Sequence, residues 1–100
     1  MNKRLISYLG LLAYMMTNRA VQENNLEAAE KGAAIYRLVE PLNPEHAYLS
    51  AMIKMKRDDP EGALKFLEQA VMLGFTDRER IFNEPAFAPI SNREEFINLL

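Results

Sequence analysis

The chain has no cysteine among its 100 residues. It therefore offers no disulfide bond, no thiolate nucleophile and no cysteine-based zinc site, and its redox compartment stays open. Its four glycines, at positions 10, 32, 62 and 74, are isolated from one another. A phosphate-binding loop needs clustered glycines, so the sequence excludes that kind of nucleotide site.

A surplus of charge is also missing, because 12 basic and 14 acidic residues give a formal charge of −2. Nucleic-acid binding usually requires a concentrated basic face, and we expect no nucleic-acid partner. The one local basic group consists of Lys54, Lys56, Arg57 and Lys65. We interpret it as the solvated end of a helix, and recognition of an acidic peptide is the alternative.

No apolar run reaches the ~20 residues of a membrane-spanning helix. The longest lies near the N-terminus, where Lys3 and Arg4 precede an apolar stretch over 5–16. A basic start before such a stretch is typical of a secretory signal. We favour a first structural helix and a cytoplasmic location, because no small-x-small cleavage site follows. If residues 1 to about 20 are a signal peptide, the protein is exported.

Hydrophobic periodicity predicts an all-α, single-domain chain with four longer helices and two short C-terminal ones. The first helix should run from about Lys3 to Glu23, and Asn24 should cap the second. Prolines and Gly74 separate the later helices. Capping-box patterns at Thr76-x-x-Glu79 and Ser91-x-x-Glu94 predict the two short helices.

Two stretches of the chain repeat each other at an offset of 34 residues. Ala13-Tyr14 returns as Ala47-Tyr48, and Glu27-x-Ala29-x-Lys31 returns as Glu61-x-Ala63-x-Lys65. Turn residues lie at matched places, Asn24-Asn25 and Asp58-Asp59. A period of this length indicates stacked helical hairpins, because a single hairpin cannot bury its apolar face alone.

These residues resemble a tetratricopeptide repeat protein over roughly 13–75. The small residues that this family places where helices cross are found at Ala29, Ala51, Ala63 and Ala70, and Pro41 matches its closing proline. The resemblance implies antiparallel hairpins in a right-handed α-solenoid. Residues 1–100 would then form one domain with repeats at about 10–43 and 44–77 and a C-terminal cap at about 76–100.

The resemblance also implies that the first helix of each hairpin lines a concave peptide-binding face. Tyrosine supplies a rigid apolar body with a polar tip, and methionine adapts its shape, so both suit such a groove. For Met52 and Met55 an ordinary core position is an equal alternative. The implied binding positions are Tyr14, Asn18, Gln22, Tyr48, Met52, Met55 and Lys56.

Candidate catalytic groups are sparse. His46 is the only histidine, no serine lies in a Gly-x-Ser-x-Gly turn, and we expect His46 on the surface. Asp58, Asp59 and Glu61 lack the ligand spacing of a calcium loop. We therefore expect no cofactor, no metal and no catalytic activity.

The sequence thus favours a non-catalytic adaptor or scaffold that binds a protein or peptide. One alternative is a secretion-type chaperone or co-chaperone that binds an amphipathic client segment. Another is an accessory subunit of an exported assembly. The apolar first helix would favour a homodimer if its outer side is exposed.

Overall fold

The computed structural model describes residues 3–100, which contain helices and no strand. The all-α prediction is confirmed, and a 3-10 helix joins the two short α-helices. The elements are α1 (Lys3–Gln22), α2 (Leu26–Val39), α3 (Glu45–Lys56), α4 (Pro60–Met72), α5 (Arg78–Asn83), the 3-10 helix (Pro85–Ile90) and α6 (Glu94–Leu99).

The loops after α1 and α3 have the same geometry at an offset of 34 residues. Asn24 and Asp58 both adopt the left-handed conformation, with φ of 61° and 62°. In each loop the next amide donates six residues back, from Asn25 to the Ala20 carbonyl at 2.8 Å and from Asp59 to the Lys54 carbonyl at 2.9 Å. These bonds end each helix in a Schellman motif.

The residue after each left-handed position caps the following helix. The Asn25 side chain accepts a hydrogen bond from the Ala28 amide at 3.3 Å, and Asp59 accepts one from the Gly62 amide at 3.0 Å. The prediction that Asn24 is the cap was wrong by one residue. Asn24 is required for the left-handed turn, so Asn25 takes the capping position.

Because these loops are short, consecutive helices fold back on each other. Helix α1 packs on α2 and α3 packs on α4, while α3 also contacts α2 and α1. Small residues are buried at matched positions, with Ala13 paired to Ala47 and Ala29 paired to Ala63 at the offset of 34. The repeat in the sequence therefore corresponds to a repeat of turn geometry and of small buried residues.

Helix α3 is the central element. Seven of its twelve residues are buried, and they include both Tyr48 and the adjacent Leu49. The chain after α4 covers its remaining side: Gly74 adopts a φ of 104°, and Phe75 turns back to stack on Tyr48. The predicted stop at Gly74 and the return of Phe75 agree with this geometry.

The caps of the short helices differ from those predicted. Asp77, not Thr76, caps α5 by accepting a hydrogen bond from the Arg80 amide at 3.1 Å. Helix α6 begins after Arg93 without a side-chain cap, and Ser91 donates instead to the Ala88 carbonyl at 2.8 Å. The 3-10 helix ends one residue before Ser91, so its hydroxyl serves that end.

None of the helices within residues 3–100 combines the length and apolarity needed to cross a membrane.

The contact between α1 and α2 is closest at Gly32. A Cβ built on Gly32 would lie 2.4 Å from the Thr17 Oγ1 and 3.3 Å from the Thr17 Cα. Thr17 is buried, and its hydroxyl donates to the Ala13 carbonyl at 2.6 Å. The hydroxyl therefore occupies the space that a larger residue at position 32 would need.

We predict that Gly32→Ala lowers the free energy of unfolding by about 1–2 kcal/mol, because overpacking outweighs the better helix propensity of alanine. Urea unfolding followed by circular dichroism measures this loss. In a Thr17→Ala background the same substitution should cost clearly less, since the opposing hydroxyl is gone. An equal loss in both backgrounds would show that this contact is not the cause.

Candidate functional site

The predicted binding residues fall into two groups. Gln22 and Lys56 are exposed, and Tyr14, Asn18 and Met55 are partly buried. The other two, Tyr48 and Met52, lie in the core and are only 1% and 4% exposed. Those two side chains therefore offer no surface to a partner.

The C-terminal segment is the reason that Tyr48 is buried. The Tyr48 ring stacks on Phe75 with centroids 4.9 Å apart, and the edge of Phe87 meets it at 5.8 Å. The Arg80 guanidinium carbon lies 4.3 Å from the Tyr48 centroid. The side of α3 that was predicted to line a groove is thus occupied by the chain's own segment 75–87.

His46 is buried, so the prediction of a surface residue was wrong. It is 3% exposed, and its Nε2 donates to the Pro41 carbonyl at 2.8 Å. Its ring meets Tyr36 edge-on at 6.3 Å, and Tyr36 meets Tyr14 in the same way at 6.1 Å. His46 therefore fixes the loop between α2 and α3, and a chain of three rings connects α1, α2 and α3.

A surface pocket of about 320 Å³ lies where α1, the end of α2 and the start of α3 meet. We name it the acidic pocket. It combines two tyrosines, two glutamates and an apolar edge from α1. Its lining residues are Ser7, Gly10, Leu11, Tyr14, Tyr36, Glu40, Asn43 and Glu45.

Close backbone approach shapes one wall of the acidic pocket. A Cβ on Gly10 would lie 2.4 Å from the Glu40 carboxyl carbon, so only glycine leaves room for that carboxylate against α1. Asn43 holds the acids in place, because its Nδ2 donates to Glu40 Oε2 at 2.9 Å and its Oδ1 accepts from the Glu45 amide at 3.0 Å. The glutamates are therefore positioned by α1 and by the loop.

Glu45 also binds the C-terminal segment through an ion pair with Arg80. Burial alone would lower the pKa of Arg80, but the hydrogen bond and charge of Glu45 outweigh burial and raise it. The second oxygen of Glu45, Oε2, is buried and has no hydrogen-bond partner within the described residues. A buried carboxylate oxygen without a donor is costly, so a donor brought by a ligand would stabilise it.

The electrostatics of the acidic pocket favour a cation. Burial raises the pKa of Tyr36, and the negative charges of Glu40 and Glu45 raise it further. Two carboxylates and the single guanidinium of Arg80 leave one negative charge in excess. A positively charged group would neutralise this excess and could lie against the Tyr14 ring.

A second groove, of about 230 Å³, lies between α2, α3 and α4. Ala33, Ala34, Ile53 and Phe66 give it an apolar lining, and Lys54 and Glu30 stand at its border. Glu30 already pairs with Arg57, and Lys54 pairs with Asp59 at 3.9 Å. Its charged groups are satisfied within the chain, so the acidic pocket is the better candidate.

Residues 3–100 bring together no group of three or more potential metal ligands. The acidic cluster at Asp58, Asp59 and Glu61 serves structural purposes, since Asp59 caps α4 and Glu61 pairs with Arg93 at 2.9 Å. The hydrogen bond from Arg93 holds the pKa of Glu61 below its usual range.

Only Tyr14 of the predicted binding residues lines the acidic pocket. Glu40 and Glu45 were missed because they flank two prolines and read as helix-terminal charges. Asn43-Pro44 was recognised as the start of α3, and that start places Asn43 between the two acids. A signal was present in the acidic pair around this turn.

The chain matches no protein-family model, and comparisons with curated proteins and with solved structures also gave no match.

We predict that the Arg80 ion pair contributes more to stability than the Arg93 ion pair, although both connect the C-terminal segment to the second hairpin. The Arg80 and Glu45 side chains are 33% and 26% exposed, whereas Glu61 is 64% exposed. Arg80→Met should lower the free energy of unfolding by about 1–2 kcal/mol, because it leaves a half-buried carboxylate unpaired.

Urea unfolding of Arg80→Met and of the control Arg93→Met tests this difference. The control should cost less, since exposed pairs contribute little. Adding Glu45→Gln to Arg80→Met should recover part of the loss. Equal losses for the two arginine variants would contradict the assignment.

We predict a loss of stability at alkaline pH that depends on Tyr48. Tyrosine in the unfolded chain ionises near pH 10, whereas burial raises the pKa of Tyr48 to about 12 in the folded chain. The unfolded state therefore loses its proton first. Stability present below about pH 10 is lost as the pH rises towards 12, by up to about 2–3 kcal/mol.

Urea unfolding of the wild type and of Tyr48→Phe across this pH range measures the effect. The phenylalanine variant should lose less stability between about pH 10 and 12, because it has no proton to release. The same pH dependence in both proteins would show that Tyr48 is not responsible.

Proposed function

We propose that this chain is a non-catalytic binding module that holds a peptide segment through a positively charged side chain. The acidic pocket is the observation that carries the proposal. Its aromatic wall, its two fixed carboxylates and its excess negative charge match a lysine or arginine side chain. The apolar edge at Leu11 suits an apolar neighbour on the same peptide.

The proposed scaffold is a pair of tetratricopeptide-like hairpins in a short right-handed solenoid. The two identical loops at an offset of 34 residues support it, as do the small buried residues at matched positions. In such a stack the two hairpins would present their first helices on one side. The C-terminal segment covers that side at α3, so the open part lies beside α1.

A binding role agrees with the state of the reactive groups. His46 donates to a backbone carbonyl and lies outside the acidic pocket. Glu40 is held by Asn43, and Glu45 is paired with Arg80. Carboxylates that are fixed in this way recognise a charge well, whereas general-base catalysis would need a reacting group within hydrogen-bond reach.

An array of synthetic peptides tests the proposal. Each peptide is printed in four versions that carry lysine, arginine, methionine or glutamate at one position. We predict that binding peptides prefer lysine or arginine over methionine and reject glutamate. In solution, fluorescence anisotropy of the selected peptide should show that Glu40→Gln weakens binding by about 3–10-fold and that added salt does the same.

A matched control is Glu27→Gln, which removes the same charge from the other end of α2, about 20 Å away at 1.5 Å per residue. It should leave the affinity unchanged. Tyr14→Ala should weaken binding while helix content by circular dichroism is retained. If neither Glu40→Gln nor Tyr14→Ala changes the preference, the acidic pocket is not the binding site.

A further inference from the structure

A large apolar surface on α1 faces solvent. Its six side chains are between 37% and 65% exposed. We name this surface the α1 face. It consists of Leu5, Tyr8, Leu11, Leu12, Met15 and Met16.

Helix α1 is apolar on all sides over most of its length. It carries no charged residue from Leu5 to Asn18. Its inner side, with Ala13, Thr17 and Val21, is already buried in the fold. A helix that is apolar all round is normally buried all round, so the α1 face lacks a covering element in a single chain.

The spacing along the α1 face fits packing against one other helix. Leu5, Tyr8, Leu12 and Met15 follow each other at intervals of three, four and three residues. This is the spacing of the a and d positions that form the contact between two packed helices. We propose that the α1 face is a homodimer interface, in which α1 packs antiparallel against α1 of a second copy of this chain.

The exposed area is sufficient for such a pair. Half-exposed side chains of this size offer on the order of 100 Å² each, or about 600 Å² for the α1 face. Two copies would bury about 1,200 Å² in total, the lower end of the range for specific protein interfaces. An interface of this size predicts a dissociation constant in the micromolar range.

Charge selects the antiparallel orientation. Arg19 continues the a/d series four residues after Met15 and is exposed. In a parallel pair the two copies of Arg19 would face each other across the contact. In an antiparallel pair centred near Gly10, Tyr8 packs near Leu12 of the other copy, and each Arg19 lies beyond the contact. Like charges placed opposite each other would cost free energy, so the antiparallel pair is favoured.

The same charges argue for a second copy over a lipid surface. A helix that lies on a membrane has a polar face, usually rich in lysine and arginine, opposite its apolar face. The side of α1 opposite the α1 face instead packs against α2. The α1 face is neutral, and a second copy presents an equally neutral, complementary surface.

Analytical ultracentrifugation of the full chain tests the proposal. We expect a species of about twice the chain mass of 11.5 kDa at concentrations on the order of 100 µM, dissociating on dilution. The double variant Tyr8→Glu/Met15→Glu should be monomeric with unchanged helix content, because both side chains are more than half exposed. A monomeric wild type at this concentration would overturn the proposal.

The matched control is Ile35→Glu/Leu38→Glu, which places the same charges on exposed apolar residues of α2. It should remain a dimer. If the control dissociates while the α1 variant stays dimeric, another surface forms the interface. Binding of a monomeric wild type to anionic phospholipid vesicles, lost in the α1 variant, would assign the α1 face to lipid and overturn the homodimer.

The absence of cysteine permits a test of orientation by a single introduced thiol. In the antiparallel pair the two copies of residue 12 are offset by about 6 Å along the helices, and the two copies of residue 22 by about 36 Å. A short bismaleimide should therefore cross-link Leu12→Cys and not Gln22→Cys. Efficient cross-linking of Gln22→Cys would contradict the antiparallel arrangement.

Discussion

The aromatic cluster around Tyr48 is the contact on which the arrangement of the whole chain depends. Helix α3 lies between both hairpins, and its last open side is closed when Phe75 and Phe87 pack against Tyr48. Aromatic contacts of this kind add roughly 0.5–1.5 kcal/mol beyond the area they bury. Arg80 completes the cluster over the same ring and pairs with Glu45 at the edge of the acidic pocket. The cover of the core and the wall of the candidate site therefore share one side chain.

Local features of the sequence predicted much of the fold. The helices, the loops at Asn24 and Asp58, and the stop at Gly74 follow from capping and turn chemistry that acts within a few residues. The burial of Tyr48 did not follow from these features. Tyr14 and Tyr48 occupy equivalent repeat positions, yet only Tyr48 lies under the C-terminal segment. A contact between residues far apart in sequence decides that difference, and a repeat pattern carries no signal for it.

The candidate site was predictable only in part for the same reason. Tyr14 was identified from its register, whereas Glu40 and Glu45 matter because Gly10 lets one carboxylate approach α1 and Asn43 bonds to both acids. The position of His46 depends on a carbonyl in the preceding loop, at Pro41. Each of these placements requires the relative positions of α1, α2 and α3. Composition can indicate an acidic turn, but it cannot place that turn beside a tyrosine of another helix.

The two ends of the helical stack are treated differently by this sequence. At the C-terminal end the segment 75–100 buries Ile81, Phe87, Ile90 and Phe96 and turns charged residues outward. At the other end α1 presents an apolar surface, where a terminal element of a soluble solenoid would carry a polar one. Leu11 belongs to that surface and also lines the acidic pocket. Pairing through α1 would therefore change one wall of the pocket, and by linkage a ligand that contacts Leu11 would in turn shift the pairing equilibrium.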